Sequence, residues 1–446
     1  MSAQSSATAV AGAVPEVHDK SALRRVLTSA ALGQFVEWYD FVVYAYSAAI
    51  IAKLFFPNSD PTAALLSTFA VYAVGFVMRP LGGFIFGSLG DRIGRRRVLS
   101  FVILMMGAAT IAIGLLPTYA QVGILAPILL VVCRLVQGLS AAGETVGSNA
   151  FVAEHAPGER RGLYVAFTYS FANLPPIAAA LLVLLLTNVL TGDAYASWGW
   201  RIPFLIGGPL ALVGLYIRRQ VDESPAFKAT QAAKRVAATP ISDAVRDQKK
   251  AMGFSFALAA FSSLGFYTLA GYFVSYLIAT VRLDSNSALI SNSVALFVAF
   301  LAMIAGGALS DRFGRKPILL IGLAINAAVC IPAYLLAAQG SLVTAIAGQS
   351  LLAIGCGLFW GPVGIALLEL FPTRTRFSAA AISYNLAYTI FGGTAPFLGT
   401  WLILQSGSKI APAIYMAVVS AVVFLVVLMI PETYKKSLVH AEDIGG

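Results

Sequence analysis

Five ionisable side chains fall inside long apolar runs, where a charge is costly and therefore informative: Glu37, Asp40, Arg79, Arg134 and Glu144. Charges at such depth face a protein interior or a water-filled passage and mark a functional site. Glu37, Asp40 and Tyr44 recur at i, i+3 and i+7, on one face of a helix. Asp40 lies twelve residues into its run and Arg79 twelve residues before Asp91, at the end of the next run. At about 1.5 Å per residue both reach about 18 Å, so an Asp40–Arg79 ion pair is sterically possible between antiparallel helices. Arg134 and Glu144 lie at mid-depth in another run, with Gln137 one turn from Arg134. Burial favours a neutral carboxyl and a nearby guanidinium favours the anion, so moving the arginine away moves a proton. His18, His155 and His440 lie outside the runs, which leaves proton chemistry to the carboxylates.

The elements that position these groups are long and oily. The chain has 446 residues, 59% apolar and 11% charged, against about half and a quarter in soluble domains. Twelve blocks reach or approach the ~20 residues that a spanning helix needs. They cover 28–54, 62–90, 98–116, 122–150, 161–190, 202–219, 252–280, 287–310, 317–338, 342–369, 377–404 and 411–430. The reading is an all-α membrane protein in which helices satisfy their own backbone. With the N-terminus cytoplasmic, only Lys53, Arg201, Arg282 and Lys409 fall outside and Arg79 and Arg134 within the membrane, leaving 24 of 30 Lys and Arg on the cytoplasmic side. That asymmetry places both termini in the cytoplasm and reads the net charge of +10 as membrane topology, not nucleic-acid binding. The Ala/Ser-rich first 27 residues lack an h-region, so no cleaved signal peptide is expected. Cys133, Cys330 and Cys356 lie in the runs without metal-ligand spacing and are read as packing residues; no cofactor is expected.

The chain repeats itself. Gly87-x-x-x-Asp91-Arg92-x-Gly94-Arg95-Arg96 recurs 220 residues later as Gly307-x-x-x-Asp311-Arg312-x-Gly314-Arg315-Lys316. Glu154, Pro157 and Arg161 recur 215 residues later as Glu369, Pro372 and Arg376, and Glu223-Ser224 is echoed faintly by Glu432-Thr433. The twelve helices thus form two pseudo-symmetric six-helix bundles, 28–219 and 251–431. A tail 1–27, a linker 220–250 and a tail 432–446 are expected to be cytoplasmic, with Thr239-Pro240 capping a short helix in the linker. Parallel halves around a membrane-normal axis are an arrangement of secondary transport. In that frame Asp91, Arg92, Arg95, Glu154 and Arg161, with Asp311, Arg312, Arg315, Glu369 and Arg376, are cytoplasmic gate residues whose ion pairs form when the gate shuts. Glu154 with Arg161, and Glu369 with Arg376, are placed to pair with the repeated loop.

The doubled loop resembles the signature of the major facilitator superfamily. Gly33-Gln-Phe-Val-Glu37-Trp38-Tyr39-Asp40-Phe41, Arg79-Pro80-Leu-Gly82-Gly83, Arg134-Leu-Val-Gln137-Gly138 and Trp198-Gly-Trp200-Arg201-Ile-Pro203-Phe204 resemble the metabolite:proton symporter family. That resemblance implies uptake of carboxylates or zwitterions such as 2-oxoglutarate, citrate, shikimate, aromatic acids, proline or betaine across a bacterial inner membrane.

Aligning the halves places Leu269 opposite Glu37, Tyr272 opposite Asp40, Tyr276 opposite Tyr44, Ala299 opposite Arg79, Gln349 opposite Arg134 and Phe359 opposite Glu144. The N-terminal half is expected to handle charge and the C-terminal half to shape the apolar side of the solute. Asp40 or Glu37, with Glu144 a further candidate, carries the proton; Arg79 is the switchable partner and Arg134 attracts the solute carboxylate. Gln137, Tyr44, Tyr272, Tyr276, Trp360, Tyr384 and Asn385 are further solute-binding candidates, and Tyr267, Tyr388 and Asn173 are similar in kind. Such aromatic side chains can hold a quaternary ammonium by cation–π contact. Pro175-Pro176 and Pro396 should bend their helices. Two membrane arginines suit a monocarboxylate, dicarboxylate or zwitterion better than a tricarboxylate, and a chain ending soon after the twelfth run without heptads counts against an osmosensing betaine/proline carrier. The expectation is a monomeric, proton-coupled symporter in a lipid bilayer; an uncoupled facilitator or exchanger is the alternative. A membrane enzyme or sensor is disfavoured, since no nucleotide loop, metal cluster or nucleophile–base pair is evident.

Overall fold

A computed structural model describes residues 20–57, 61–219, 245–372 and 375–434, nearly all of them helical, with no strand among the described residues. Twelve long helices run through it. In the N-terminal half they are α1 (Lys20–Tyr46), α2 (Pro61–Val77 and Arg79–Ile93), α3 (Arg95–Leu115), α4 (Leu125–His155), α5 (Gly158–Val189) and α6 (Gly199–Arg219). In the C-terminal half they are α7 (Lys249–Val281), α8 (Ser285–Phe313), α9 (Arg315–Ala337), α10 (Leu342–Glu369), α11 (Arg376–Ser406) and α12 (Ala411–Met429). Among the described residues eleven helices are long and apolar enough to cross a membrane. The twelfth, α1, is 27 residues long, and Gln34, Glu37 and Asp40 lower its hydropathy. Phe101, Leu185, Tyr216, Phe397 and Leu425 stand exposed on the flanks, as a lipid-facing surface requires. Glu223-Ser224, Thr239-Pro240 and most of the expected linker and tails lie outside the described residues.

The helices bend where the sequence denies them a bond. Pro80, which has no N–H, breaks α2 at Met78, so Arg79 sits at the kink. A tight turn at Phe171–Asn173 precedes Pro175-Pro176 in α5. Wider π-type turns occur at Thr268–Tyr272 and Leu277–Val281 in α7 and at Tyr388–Gly392, before Pro396, in α11. Such turns expose backbone and gather at functional positions. In α7 the Leu269 carbonyl accepts from Asn292 Nδ2 at 2.6 Å, and that amide also reaches Gln349 Oε1 at 3.0 Å.

The two halves meet most closely at the end bearing the repeated loops, termed the basic end below. Gly83 and Gly87 of α2 lie against α11: a Cβ on either would stand 2.9 Å from the Ala381 carbonyl oxygen or the Ser378 Cα. Their counterpart Gly307 of α8 lies against α5, where a Cβ would stand 2.8 Å from the Gly162 carbonyl oxygen. Side-chain-free surfaces let the backbones approach. Gly94 and Gly314 turn the repeated loops with φ of 99° and 101°, a conformation that favours glycine.

Candidate functional site

Arg79, released at the α2 kink, projects to mid-depth between the two halves and is fully buried. Its guanidinium carbon lies 4.6 Å from the Phe41 ring centre, 5.3 Å from Phe76 and 5.7 Å from both Trp38 and Tyr388. Glu37 Oε1 is 3.5 Å from Arg79 Nη2, and the other Glu37 oxygen accepts from the Thr145 hydroxyl. None of the three guanidinium nitrogens makes a hydrogen bond, and neither does Glu37 Oε1. Buried donors are nearly always paired, so a cation with this many open N–H groups is built to receive something. The box draws on both halves: Tyr169 of α5 meets Tyr388 (2.9 Å) and Tyr384 (3.3 Å) of α11 through their hydroxyls, and Trp38 of α1 packs on Phe266 of α7 at 4.3 Å.

The second arginine forms a separate layer inside the N-terminal half. Arg134 donates to Gln137 Oε1 at 2.8 Å and to the Tyr72 carbonyl at 3.3 Å, and Gln137 Nε2 donates to the Thr110 hydroxyl at 2.7 Å. The Arg134 guanidinium lies over Tyr44, Phe41 and Tyr72 at 4.5, 4.9 and 5.0 Å, so Phe41 serves both arginines. Asp40 turns toward α3 and α6, where a Cβ on Gly207 would stand 3.3 Å from Asp40 Oδ1. Neither Asp40 oxygen accepts a hydrogen bond. Helical rise alone allows an Asp40–Arg79 pair; the structure pairs Arg79 with Glu37, and Asp40, three residues on and about 60° further round the helix, turns instead to Gly207 of α6 and Thr110 of α3.

Glu144 is not a free carboxylate. Both oxygens accept from Arg218 of α6, at 2.8 and 2.9 Å, and Arg218 also donates to the Leu99 carbonyl at 3.0 Å. A proton carrier needs a partner that can leave, and this fork is closed by several bonds. By sequence Arg218 counts with the loop cations. The missed signal is periodicity: Gly207, Ala211, Gly214 and Leu215 are buried, and the same face continues to Arg218.

At the basic end the repeat becomes a reciprocal latch. Asp91 accepts the N–H groups of Phe377 (3.3 Å) and Ser378 (2.8 Å) at the start of α11, while Asp311 accepts those of Gly162 (2.9 Å) and Leu163 (2.7 Å) near the start of α5. Each carboxylate thus caps a helix of the other half, where the positive end of the helix dipole favours it. Arg95 reaches Glu154 at 3.0 Å and Asp91 at 3.6 Å; Arg315 reaches Asp311 at 2.6 Å and Glu369 at 3.4 Å. Glu154 and Glu369 thus meet the repeated loops as expected, and Glu154 also pairs across the halves with Arg376 at 2.9 Å. Arg161 and Arg376 also donate, through Nε, to the carbonyls of Ala153 and Leu368 near the ends of the preceding helices, α4 and α10. Arg92 and Arg312 are exposed and point away from the latch, Arg312 lying over Phe313 at 5.2 Å, because the residue after the capping Asp turns outward on the helix. Glu432 caps α9 through the N–H groups of Arg315 (3.0 Å) and Lys316 (3.1 Å), and the Thr433 hydroxyl donates to Glu369 at 2.6 Å.

The remaining candidates divide. Tyr384 belongs to the central box, and Trp360 borders it, donating to the Ser262 carbonyl at 3.2 Å and packing on Phe266. Asn385 bridges the halves, donating to the carbonyl of Ala142 at 2.9 Å. Tyr44 stacks on Tyr72 and donates to the Thr68 carbonyl at 3.2 Å, beside Arg134. Tyr276 is corrected: its ring packs on Phe273 and Tyr334 inside the C-terminal half, since its helix face turns inward to α9. Tyr272 lies against Gly399 of α11 and beside Tyr276, also off the central box. Asn173 donates to the Ser170 carbonyl at 3.1 Å. His155 ends α4 and is buried, its ring tilted against that of Phe151 at 4.4 Å, because α4 runs five residues past its apolar block.

A doubled six-helix bundle, latched at one end and carrying unpaired charge at mid-depth between its halves, defines a multi-pass membrane transporter of the major facilitator type, not an enzyme. The chain belongs to the sugar (and other) transporter family, whose profile matches residues 26–444. It is 34% identical over 431 residues to the proline/betaine transporter of Escherichia coli strain K12, covering 94% of this chain and 86% of that one. It is likewise 34% identical over 431 residues to the glycine betaine/proline/ectoine/pipecolic acid transporter OusA of Dickeya dadantii, covering 94% and 85%. Among solved structures, the proton:xylose symporter XylE bound to 6-bromo-6-deoxy-D-glucose superposes with a TM-score of 0.79 at 19% identity, covering 95% of this chain and 98% of that one. The partially occluded inward-open form of XylE from E. coli gives 0.70 at 20% identity over 94% and 100%.

Proposed function

We propose that this chain is a monomeric proton-coupled symporter that takes up a small organic zwitterion, of the proline or betaine kind, into a bacterial cell through the inner membrane. The basic end, with both termini, faces the cytoplasm, as the distribution of Lys and Arg supports. The observation that carries the reading is Arg79: buried, beside Glu37, enclosed by rings from both halves, and without a hydrogen bond to any of its three nitrogens. Opposite ends of a zwitterion suit this box, the carboxylate against the guanidinium and the ammonium against the aromatic faces and Glu37.

Proton and solute occupy different layers. Asp40, buried and with no hydrogen bond to either oxygen, is the proton carrier in this reading, and Arg134 lies in the same layer over Phe41, the residue that follows it. Deprotonation would turn Asp40 into an anion that draws on Arg134 and loosens its hold on Gln137, Tyr72 and Phe41; Phe41 also covers Arg79. Occupancy of one layer thereby changes the packing of the other. The latch at the basic end is closed in this conformation, and alternating access requires that it part after loading. The relatives that share a third of the sequence carry proline or betaine in their names, which supports the zwitterion over a dicarboxylate. The test is a thermal-shift measurement on the purified protein with glycine betaine, proline, xylose and succinate. Stabilisation by the first two alone is expected; stabilisation by succinate alone, or by xylose alone, overturns the assignment.

A further inference from the structure

Tyr267 of α7 has a rigidly held ring and an idle hydroxyl. Phe76 (5.2 Å), Phe266 (5.4 Å), Trp38 (6.0 Å) and Tyr388 (6.2 Å) surround the ring on several sides. Behind it lies Gly392 in the π-type turn of α11, where a Cβ would stand 2.6 Å from the Tyr267 ring, so even alanine would displace it. The residue is 6% exposed, yet its hydroxyl makes no hydrogen bond. A phenol so placed ordinarily finds a partner. The hydroxyls of Tyr169, Tyr384 and Tyr388 do, through one another. Those of Tyr276 and Tyr334 are also unpaired, but they face each other's rings within the C-terminal half. Tyr267 is different because Trp38, Phe76 and Tyr388, which surround its ring, are also the rings that enclose Arg79, itself without a hydrogen bond. Two open donors, one from each half, thus share one set of rings.

We infer that Tyr267 is a specificity-determining residue: its O–H and the Arg79 N–H groups together clasp the carboxylate of the zwitterion, so that solute joins α2 to α7 across the halves. This rests on the proposed function, and it adds what that reading leaves open, namely which group of the C-terminal half reads the anionic end. Two donors of one kind select a carboxylate over a neutral or hydroxyl-terminated analogue, because the latter leaves a charged donor unpaired. The geometry also gives the clasp a conformational consequence. A ligand bonded to both halves favours their closure over the box, whereas a ligand held by Arg79 alone does not.

The experiment measures binding to the full-length protein in nanodiscs by calorimetry and thermal shift, with glycine betaine as the carboxylate probe and choline as its carboxylate-free analogue. Tyr267→Phe removes one oxygen that bonds nothing, so the unliganded melting temperature should hold or rise. Glycine betaine should bind roughly tenfold or more weakly, the worth of one hydrogen bond to a charged group, while choline affinity stays unchanged. A merely structural tyrosine would lower the unliganded melting temperature and weaken both probes equally, which overturns the proposal. Unchanged glycine betaine binding in Tyr267→Phe overturns it as well. Should Tyr267→Phe destabilise the protein, Gly392→Ala, which displaces the ring but keeps the phenol, must reproduce the selective loss; equal loss of both probes overturns the clasp. If the parent protein binds neither glycine betaine nor proline while it binds another solute class, the functional reading itself has failed, and the clasp with it.

Discussion

Asp91→Asn is the sharpest perturbation of the latch. The Asp91 carboxylate takes two N–H groups at the α11 terminus, at 3.3 and 2.8 Å, and stands 3.6 Å from Arg95. An amide keeps one acceptor, loses the charge and presents a donor where α11 offers donors. One charge-assisted hydrogen bond is worth about 1.5–3 kcal/mol and the charge–dipole contribution about 0.3–1 kcal/mol. The closed state should therefore lose about 2–4 kcal/mol, a shift of roughly 30- to 700-fold toward the form open at the basic end. Because Asp311 makes the matching contacts to Gly162 and Leu163, Asp311→Asn should act in the same direction and by a similar amount. Spin labels at Arg92→Cys and Arg312→Cys, both exposed and on opposite halves, report the opening by pulsed electron–electron distance measurement in a background lacking Cys133, Cys330 and Cys356. Longer distances in either Asn variant are expected. A distance distribution identical to the parent's would show that the caps do not hold the halves together, and the latch argument would be wrong.

Glu144→Gln breaks a buried, doubly bonded pair with Arg218 and should cost about 3–5 kcal/mol, read as a lower melting temperature with proton–solute stoichiometry unaltered; altered stoichiometry at unchanged stability would return Glu144 to the coupling machinery. Gly83→Ala places a methyl 2.9 Å from the Ala381 carbonyl oxygen, so the halves should fail to close at the basic end, with transport lost and helix content by circular dichroism retained. Arg79→Lys supplies a point charge without the planar fork and should weaken zwitterion binding at least tenfold, measured by calorimetry.

How far the sequence reached can be judged residue by residue. The twelve helices and the doubled design were legible because apolar blocks and an exact 220-residue offset are local features. In the latch, Glu154 and Glu369 meet Arg95 and Arg315 of the repeated loops, a pairing legible in the repeat, whereas Arg376 is brought to Glu154 only by the meeting of the halves. Depth along a helix is one coordinate, and it placed Asp40 level with Arg79; rotation about the axis is the other, and it gave the contact to Glu37. Arg218 was hidden because a cation at a helix end carries two signals, topology and burial, and the first is commoner. Tyr272 and Tyr276, solute-binding candidates by sequence, lie off the central box, since the π-type turn at Thr268–Tyr272 alters the rotation of α7 from Thr268 onward. Tyr267 precedes that turn in α7 and packs on Trp38 of α1 where the two halves meet.

The central claim is that a proton at Asp40 moves with a zwitterion at Arg79. Purified protein in vesicles loaded with a pH-sensitive dye tests it directly: glycine betaine or proline added outside, with no imposed gradient, should acidify the lumen as solute enters. Asp40→Asn should abolish that acidification while still exchanging labelled for unlabelled solute. Solute entry with no change in lumenal pH, or an undiminished proton signal in Asp40→Asn, would contradict the account.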